Sequence, residues 1–238
     1  MISRRDFLIA TGAAVLLPSF SWPSEESPAL LDHVILGCND LDAGIDFVQE
    51  RTGVRAAPGG THPDRGTSNA LLSLGERHYL EIMAPTLNGK PVQAWAARQL
   101  EILKGLTSPR LMGWAVHPND IDSLARKFRE SGIEVLGPWP GSRVRSDGRV
   151  ISWRSFSLAE DRHSLLPFFI EWSADSVHPS SDAPSGCHIE HFAAAEPDTT
   201  ELTKALRRIE VDAPVEHSDK PQLRTRIVGP KGVLEVTS

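Results

Sequence analysis

The chain has 238 residues, 40% hydrophobic and 24% charged, the composition of an ordinary globular protein. Its formal net charge is −6 with no basic block to offset it, which argues against nucleic-acid and anionic-membrane binding. Two cysteines, Cys38 and Cys187, could pair in an oxidising compartment, but they do not amount to a disulfide scaffold in a chain of this size.

The N-terminus, MISRRDFLIATGAAVLLPSF, places Ser3, Arg4, Arg5, Phe7 and Leu8 ahead of a short apolar run. Residues 1–21 read as a twin-arginine export signal, with Ile9 where a lysine is often found. A membrane anchor is the competing reading, but Leu8 to Leu17 is short for spanning a bilayer. Export by this route predicts a periplasmic or extracellular protein, free of the membrane once the signal is removed, with Ser19 or Ser21 nearest a cleavage site. Proteins exported already folded can be loaded with a metal that the cytoplasm selects. A linker rich in Ser, Pro and Glu follows over residues 22–30.

LDHVILGC then has the continuous apolar character of a buried strand. NDLD is a turn in which Asn39 or Asp40 can cap a helix, and AGIDFVQERTG continues as an amphipathic helix closed by Gly53. The same order returns in LMGWAVHPNDIDSLARKFRESG, residues 111–132. There Asn119, Asp120 and Asp122 match Asn39, Asp40 and Asp42. A weaker third copy is IEHFAAAEPDTTELTKALRRI, with Pro197 and Asp198 at the turn. Shorter strand-like pieces follow each helix: NALLSLG and RHYLEIMAP, RVISWRSFSL and LLPFFIEW, RTRIVG and GVLEVTS. The predicted plan is βαβββ, repeated. Paired modules are expected over residues 31–175, a linker over 176–186 and a third, shorter module over 187–238.

LDHVILGCNDLD, GGTHPDRGTSNALLSLG, YLEIMAP, GWAV with NDIDSLA, SDGRVISWR and LPFFIEW, in this order, resemble the vicinal-oxygen-chelate superfamily and, within it, the glyoxalase-like proteins. The resemblance implies an α+β fold in which repeated βαβββ modules curl into a curved open sheet, a cup-like half barrel. It also implies a divalent metal ion (Zn, Ni, Co, Mn or Fe) inside the cup when one is bound. In that pattern the first strand of a module offers one ligand and its last strand a carboxylate. The first module then supplies His33 and Glu81, and the third His191 and Glu235. The second supplies Glu171, but has Gly113 where His33 would align. If modules one and three share a cup, His33, Glu81, His191 and Glu235 form a quartet. If one and two share it, the set is His33, Glu81 and Glu171 with a vacancy at Gly113.

Imidazole and carboxylate together suit a transition metal with open positions for a chelating substrate. Such a cation stabilises the oxyanion formed when a C–H next to a carbonyl is deprotonated, and Glu81 or Glu171 would take the proton. The plainer readings are a core histidine at 33 and strand glutamates that face solvent. His62, Thr67 and Asn69, in the glycine-rich stretch 59–70, could contact a ligand; no phosphate-loop ending is present. Arg145 and Arg154 flank an SDGRV turn, and an inward arginine would suit an anionic substrate. Trp114, Trp153 and Trp172 are packing residues first and pocket walls second. His78, His117, His163, His178 and His217 read as turn or exposed positions. No GxSxG, CxxC or HExxH motif is present.

These features predict a metal-dependent lyase or isomerase acting on a small oxygenated, anionic molecule. An Fe(II) dioxygenase is less favoured, since its facial triad needs only one carboxylate. The rival is a metal-free protein of the same fold that sequesters a small molecule, as expected where ligands have decayed to Gly113. A third expectation is an interaction role, with the spare module making a homodimer.

Overall fold

Strand, helix and further strands follow one another three times along the chain. The computed structural model describes residues 30–62, 64–87, 89–145 and 148–238; the stretch expected to be an export signal and almost all of the expected first linker lie outside them. The first module comprises β1 (Leu31–Gly37), α1 (Leu41–Thr52), β2 (Ala57–His62), β3 (Thr67–Ser73) and β4 (Tyr79–Pro85), and α2 (Ala94–Lys104) follows it. The second comprises β5 (Arg110–Val116), α3 (Ile121–Glu130), β6 (Val135–Val144), β7 (Val150–Leu158) and β8 (Phe168–Trp172). A short helix, α4 (Pro179–Asp182), leads to the third: β9 (His188–Glu196), α5 (Thr199–Arg208), β10 (Val215–His217), β11 (Gln222–Val228) and β12 (Val233–Thr237).

Local chemistry accounts for the three module helices. Asp40, Asp120 and Asp198 each cap one, accepting from the backbone N–H of Ala43, Ser123, and Thr200 with Glu201. Gly53 closes α1 at φ 85°, a left-handed conformation that suits glycine.

Modules one and two share an eight-stranded sheet in the order β2-β3-β4-β1-β5-β8-β7-β6, joined where β1 meets β5 antiparallel. The sheet curls until its edge strands β2 and β6 approach, and the Arg143 guanidinium donates to the Gly59 carbonyl across the gap. The result is the curved half barrel of an α+β fold. Alternation along each strand gives the sheet two faces. Val34, Leu36, Leu80, Ile82, Trp114, Phe156 and Phe169 pack outward against the helices. His33, Ile35, Glu81, Met83, Phe168, Ile170 and Trp153 lie on the inner face, where Leu103 and Leu106 at the end of α2 cover one end.

The third module forms its own four-stranded sheet in the order β10-β9-β11-β12. Its apolar side joins the outer core of the large sheet, with Phe192 against Trp114 at 4.8 Å between ring centroids. Modules one and three therefore share no cup. The third module also departs from the first in strand order. β4 lies beside β1, whereas β11 separates β12 from β9.

Candidate functional site

Strand neighbours decide which residues face one another inside the cup. His33 pairs with Tyr79 and Ile35 with Glu81 across β1 and β4, so His33 and Glu81 sit diagonally on one face. Their Nε2 and Oε2 atoms are 3.7 Å apart, wider than a hydrogen bond, and both residues are buried. The Nδ1 of His33 bonds the Asp32 carboxylate at 2.7 Å, which fixes Nδ1 as the protonated nitrogen and turns Nε2 toward Glu81. Tyr79 stacks on the His33 ring at 4.5 Å and Phe168 meets it edge-on at 5.4 Å.

Asp32 is wholly buried and serves several donors. Besides His33 it accepts from Trp172 Nε1 at 3.0 Å and contacts His178 Nε2 at 3.2 Å. Burial alone would raise this carboxyl, but the hydrogen bonds to His178 and His33, and their charges, hold it well below the usual carboxylate range. A β-bulge between Leu31 and His33 lets Asp32 and His33 meet although they are adjacent in the strand.

Glu81 accepts from Asn69 Nδ2 at 2.6 Å. Burial works against its ionisation, but His33, His62, the Asn69 bond and Arg143 prevail and hold it below its ordinary value. His62 bonds Thr67 Oγ1 through Nδ1 at 3.2 Å and faces Trp153 edge-on. Burial is the main reason its pKa falls to about 4, with Arg65 and Arg143 adding to it against the pull of Glu81. At neutral pH the cup thus holds a fixed carboxylate beside a neutral imidazole. The structure brings together His33, Glu81, His62 and Asn69. Trp153 and Trp172, ring centroids 5.4 Å apart, form the opposite wall.

Several expected site residues lie elsewhere. Glu171 shares the outer face of β8 with Phe169, and its Oε2 accepts from the backbone N–H of Ile121 at the start of α3, at 2.8 Å. Arg154, its register partner, ion-pairs with Asp122 of the same helix. Trp114 is on the outer face, donating to the Leu165 carbonyl. His191 lies in the separate sheet with Glu216 at 2.9 Å, and Glu235 pairs with Arg226 there, a strand away. Arg145 is at the cup's mouth, paired with Asp182 at 2.7 Å. Cys38 and Cys187 are buried separate thiols.

The expected divalent metal can be tested against these donors. The repeat places Gly113 at the position of His33. Ala115, the counterpart of Ile35, pairs with Phe168, so Phe168 rather than Glu171 fills the place of Glu81. The glutamate three residues along points to the other side of the sheet. His33 and Glu81 therefore have no ligating counterpart in the second module. Among the described residues no group of three or more His, Cys, Asp or Glu side chains is placed to hold a metal ion. Among the described residues, the donors facing His33 and Glu81 do not fit a protein-held metal centre.

Sequence reasoning missed Asp32, Arg143 and His178. Asp32 beside His33 in an otherwise apolar strand was a usable signal, because two adjacent polar groups there both need partners. Arg143 lies near the end of β6, where the alternation of strand faces could have flagged it. Nothing local marks His178.

A family model described as a glyoxalase-like domain matches residues 31–210. No curated protein matches the chain in sequence. Among solved structures, a hypothetical protein from Staphylococcus aureus is 17% identical with a TM-score of 0.60, covering 87% of this chain and 84% of that one. A variant of Streptomyces coelicolor methylmalonyl-CoA epimerase in complex with 2-nitronate-propionyl-CoA is 25% identical with a TM-score of 0.44, covering 63% and 99%. The methylmalonyl-CoA epimerase from Mycobacterium tuberculosis is 21% identical with a TM-score of 0.40, covering 65% and 92%. With most of its length matched by the family model and its first two modules curled into one half barrel, this chain belongs to the glyoxalase-like family of the vicinal-oxygen-chelate superfamily.

Proposed function

We propose that the protein binds a small oxygenated anion in the cup of its first two modules and sequesters it without a resident metal. The observation that carries this reading is the pair Gly113 and Phe168, standing where the second module would offer ligands to face His33 and Glu81. The first module's half of the cup is polar and held in place: Asp32 orients His33, and Asn69 orients Glu81. The second module's half is apolar and aromatic, with Phe168, Ile170, Trp153 and Trp172. That division suits a ligand bound by shape and hydrogen bonds, with Arg143 available to an anionic group.

Metal analysis of the purified protein, combined with tryptophan-fluorescence titration against small carboxylates, tests the reading. The expected result is substoichiometric metal that His33→Ala leaves unchanged, and a ligand response lost in Arg143→Met. Stoichiometric divalent metal that disappears in His33→Ala would overturn it.

A second reading, a lyase or isomerase working by proton transfer, draws on one observation: Asp32 aims His33 Nε2 at Glu81. The depressed pKa of Glu81 makes it a weak base and counts against that role.

The proposal includes export. Ser3, Arg4, Arg5, Phe7 and Leu8 support the twin-arginine route and a periplasmic or extracellular destination. Cell fractionation of an Arg4→Lys, Arg5→Lys variant tests it; equal export of variant and parent would refute the route.

A further inference from the structure

The segment between β8 and β9 crosses the mouth of the cup as a strap. Ser73 N–H donates to the Pro184 carbonyl, Arg77 N–H donates to Ser180 Oγ, and His178 reaches Asp32. Asp182, at the end of α4, turns its carboxylate to Arg145 at 2.7 Å and to Arg149 at 3.4 Å. Beneath it lies a cavity of about 120 Å³ lined by Gly59, Leu71, Arg143, Arg145, Asp182 and Ala183, among others. The cavity borders the polar cluster. A β-carbon at Gly59 would collide with Asn69 Oδ1 and come within 3.0 Å of Arg143 Nη1. Asn69 Oδ1 is buried and has no hydrogen-bond partner among the described residues, while Asn69 Nδ2 holds Glu81. The cavity therefore runs between the Arg145 and Arg143 guanidinium groups, with the Asn69 carboxamide packed against Gly59.

We infer that Asp182 is an internal stand-in for the ligand's anionic group, so that a carboxylate ligand enters by displacing it from Arg145 and loosening the strap. The inference rests on the reading of the cup as an anion-binding site. Asp182 and an incoming carboxylate present the same kind of charged acceptor to Arg145, so the exchange replaces one charge-assisted pair by another. The ligand gains what Asp182 lacks, a reach into the cavity toward Arg143. The volume, about that of a few water molecules, matches a small carboxylate, but Asp182 holds Arg145 at its rim, so even a ligand of that size must move the strap to reach the guanidinium. The ligand class is thus a small mono- or dicarboxylate, and the strap sets how readily it enters.

Oxalate is a suitable probe, with neutral oxamide as control. Calorimetric titration would compare the full chain with Asp182→Asn, Asp182→Glu and Arg143→Met. Hydrogen exchange would be followed over residues 176–184. Asp182→Asn is expected to bind oxalate at least about threefold more tightly than the parent, the scale of removing one partly exposed ionic competitor. Asp182→Glu should restore the parent affinity, which separates competition from damage to the fold. Oxalate should speed exchange in the strap of the parent, and Arg143→Met should lose binding. Equal affinities in the parent and Asp182→Asn, with binding still lost in Arg143→Met, would overturn the strap's role and leave the cup reading intact. Oxalate binding that survives Arg143→Met would overturn both, and no oxalate binding by the parent or Asp182→Asn would overturn the inference.

Discussion

His33 and Glu81 face each other across 3.7 Å inside the cup, held by Asp32 on one side and Asn69 on the other. Across from them stand an aromatic ring and a glycine. This half-built arrangement governs most of what the protein is expected to do.

Restoring the missing half should create metal binding. A β-carbon at Gly113 meets nothing within 4 Å, so a side chain can start there without a backbone clash, and Phe168→Glu beside Gly113→His puts a carboxylate in the place that corresponds to Glu81. The double variant is expected to bind Ni or Zn at least about tenfold more tightly than the parent, at a stability cost of about 2–4 kcal/mol for the lost Phe168 packing. Calorimetric metal titration checks this; equal affinities would show that the two positions do not face His33 and Glu81.

His62 makes stability depend on pH in a defined direction. Its pKa falls from 6.5 to about 4 in the folded chain, mainly through burial. Between those values the unfolded chain binds a proton that the folded chain does not, so stability is full above the unfolded value and is lost as pH falls toward 4. The loss is up to about 3 kcal/mol. Urea unfolding from pH 7.5 to 4 should show this slope in the parent and a flatter one in His62→Gln. Asp32 and Glu81, both depressed, add a further loss of the same sign below the ordinary carboxylate pKa.

Glu171 should behave as a structural residue. Its bond to the Ile121 N–H supports the start of α3 from the outer face. Glu171→Ala is expected to cost about 1 kcal/mol in denaturant unfolding and to leave ligand binding in the cup unchanged. Ligand affinity reduced as far as in Glu81→Gln would contradict this placement.

The two thiols should be inert in the native state. Cys38 is buried and its pKa is pushed up to about 12, chiefly by burial, and that of Cys187 is raised for the same reason. A disulfide reagent should modify neither until the chain unfolds, and reductant should leave the melting temperature unchanged. Rapid native labelling would refute this.

What the sequence determined by itself was local. The three Asx caps, Gly53 at a left-handed helix end, and the apolar run of β1 are set by neighbours a few residues away, so the repeated strand–helix order was legible. His33, Glu81, His62 and Asn69 were legible as site candidates because polar residues on buried strands stand out against their surroundings. The tertiary structure alone decided which of the candidates meet. Strand faces alternate every residue, so Glu171, three residues beyond the Phe168 that pairs with Ala115, points outside the sheet although its sequence pattern resembles that of Glu81. The pairing of modules one and two, the separate sheet that keeps His191 and Glu235 away, and the arrival of His178 at Asp32 from 146 residues along the chain depend on contacts between distant segments. No local pattern encodes those contacts, because they are settled by which apolar faces bury one another.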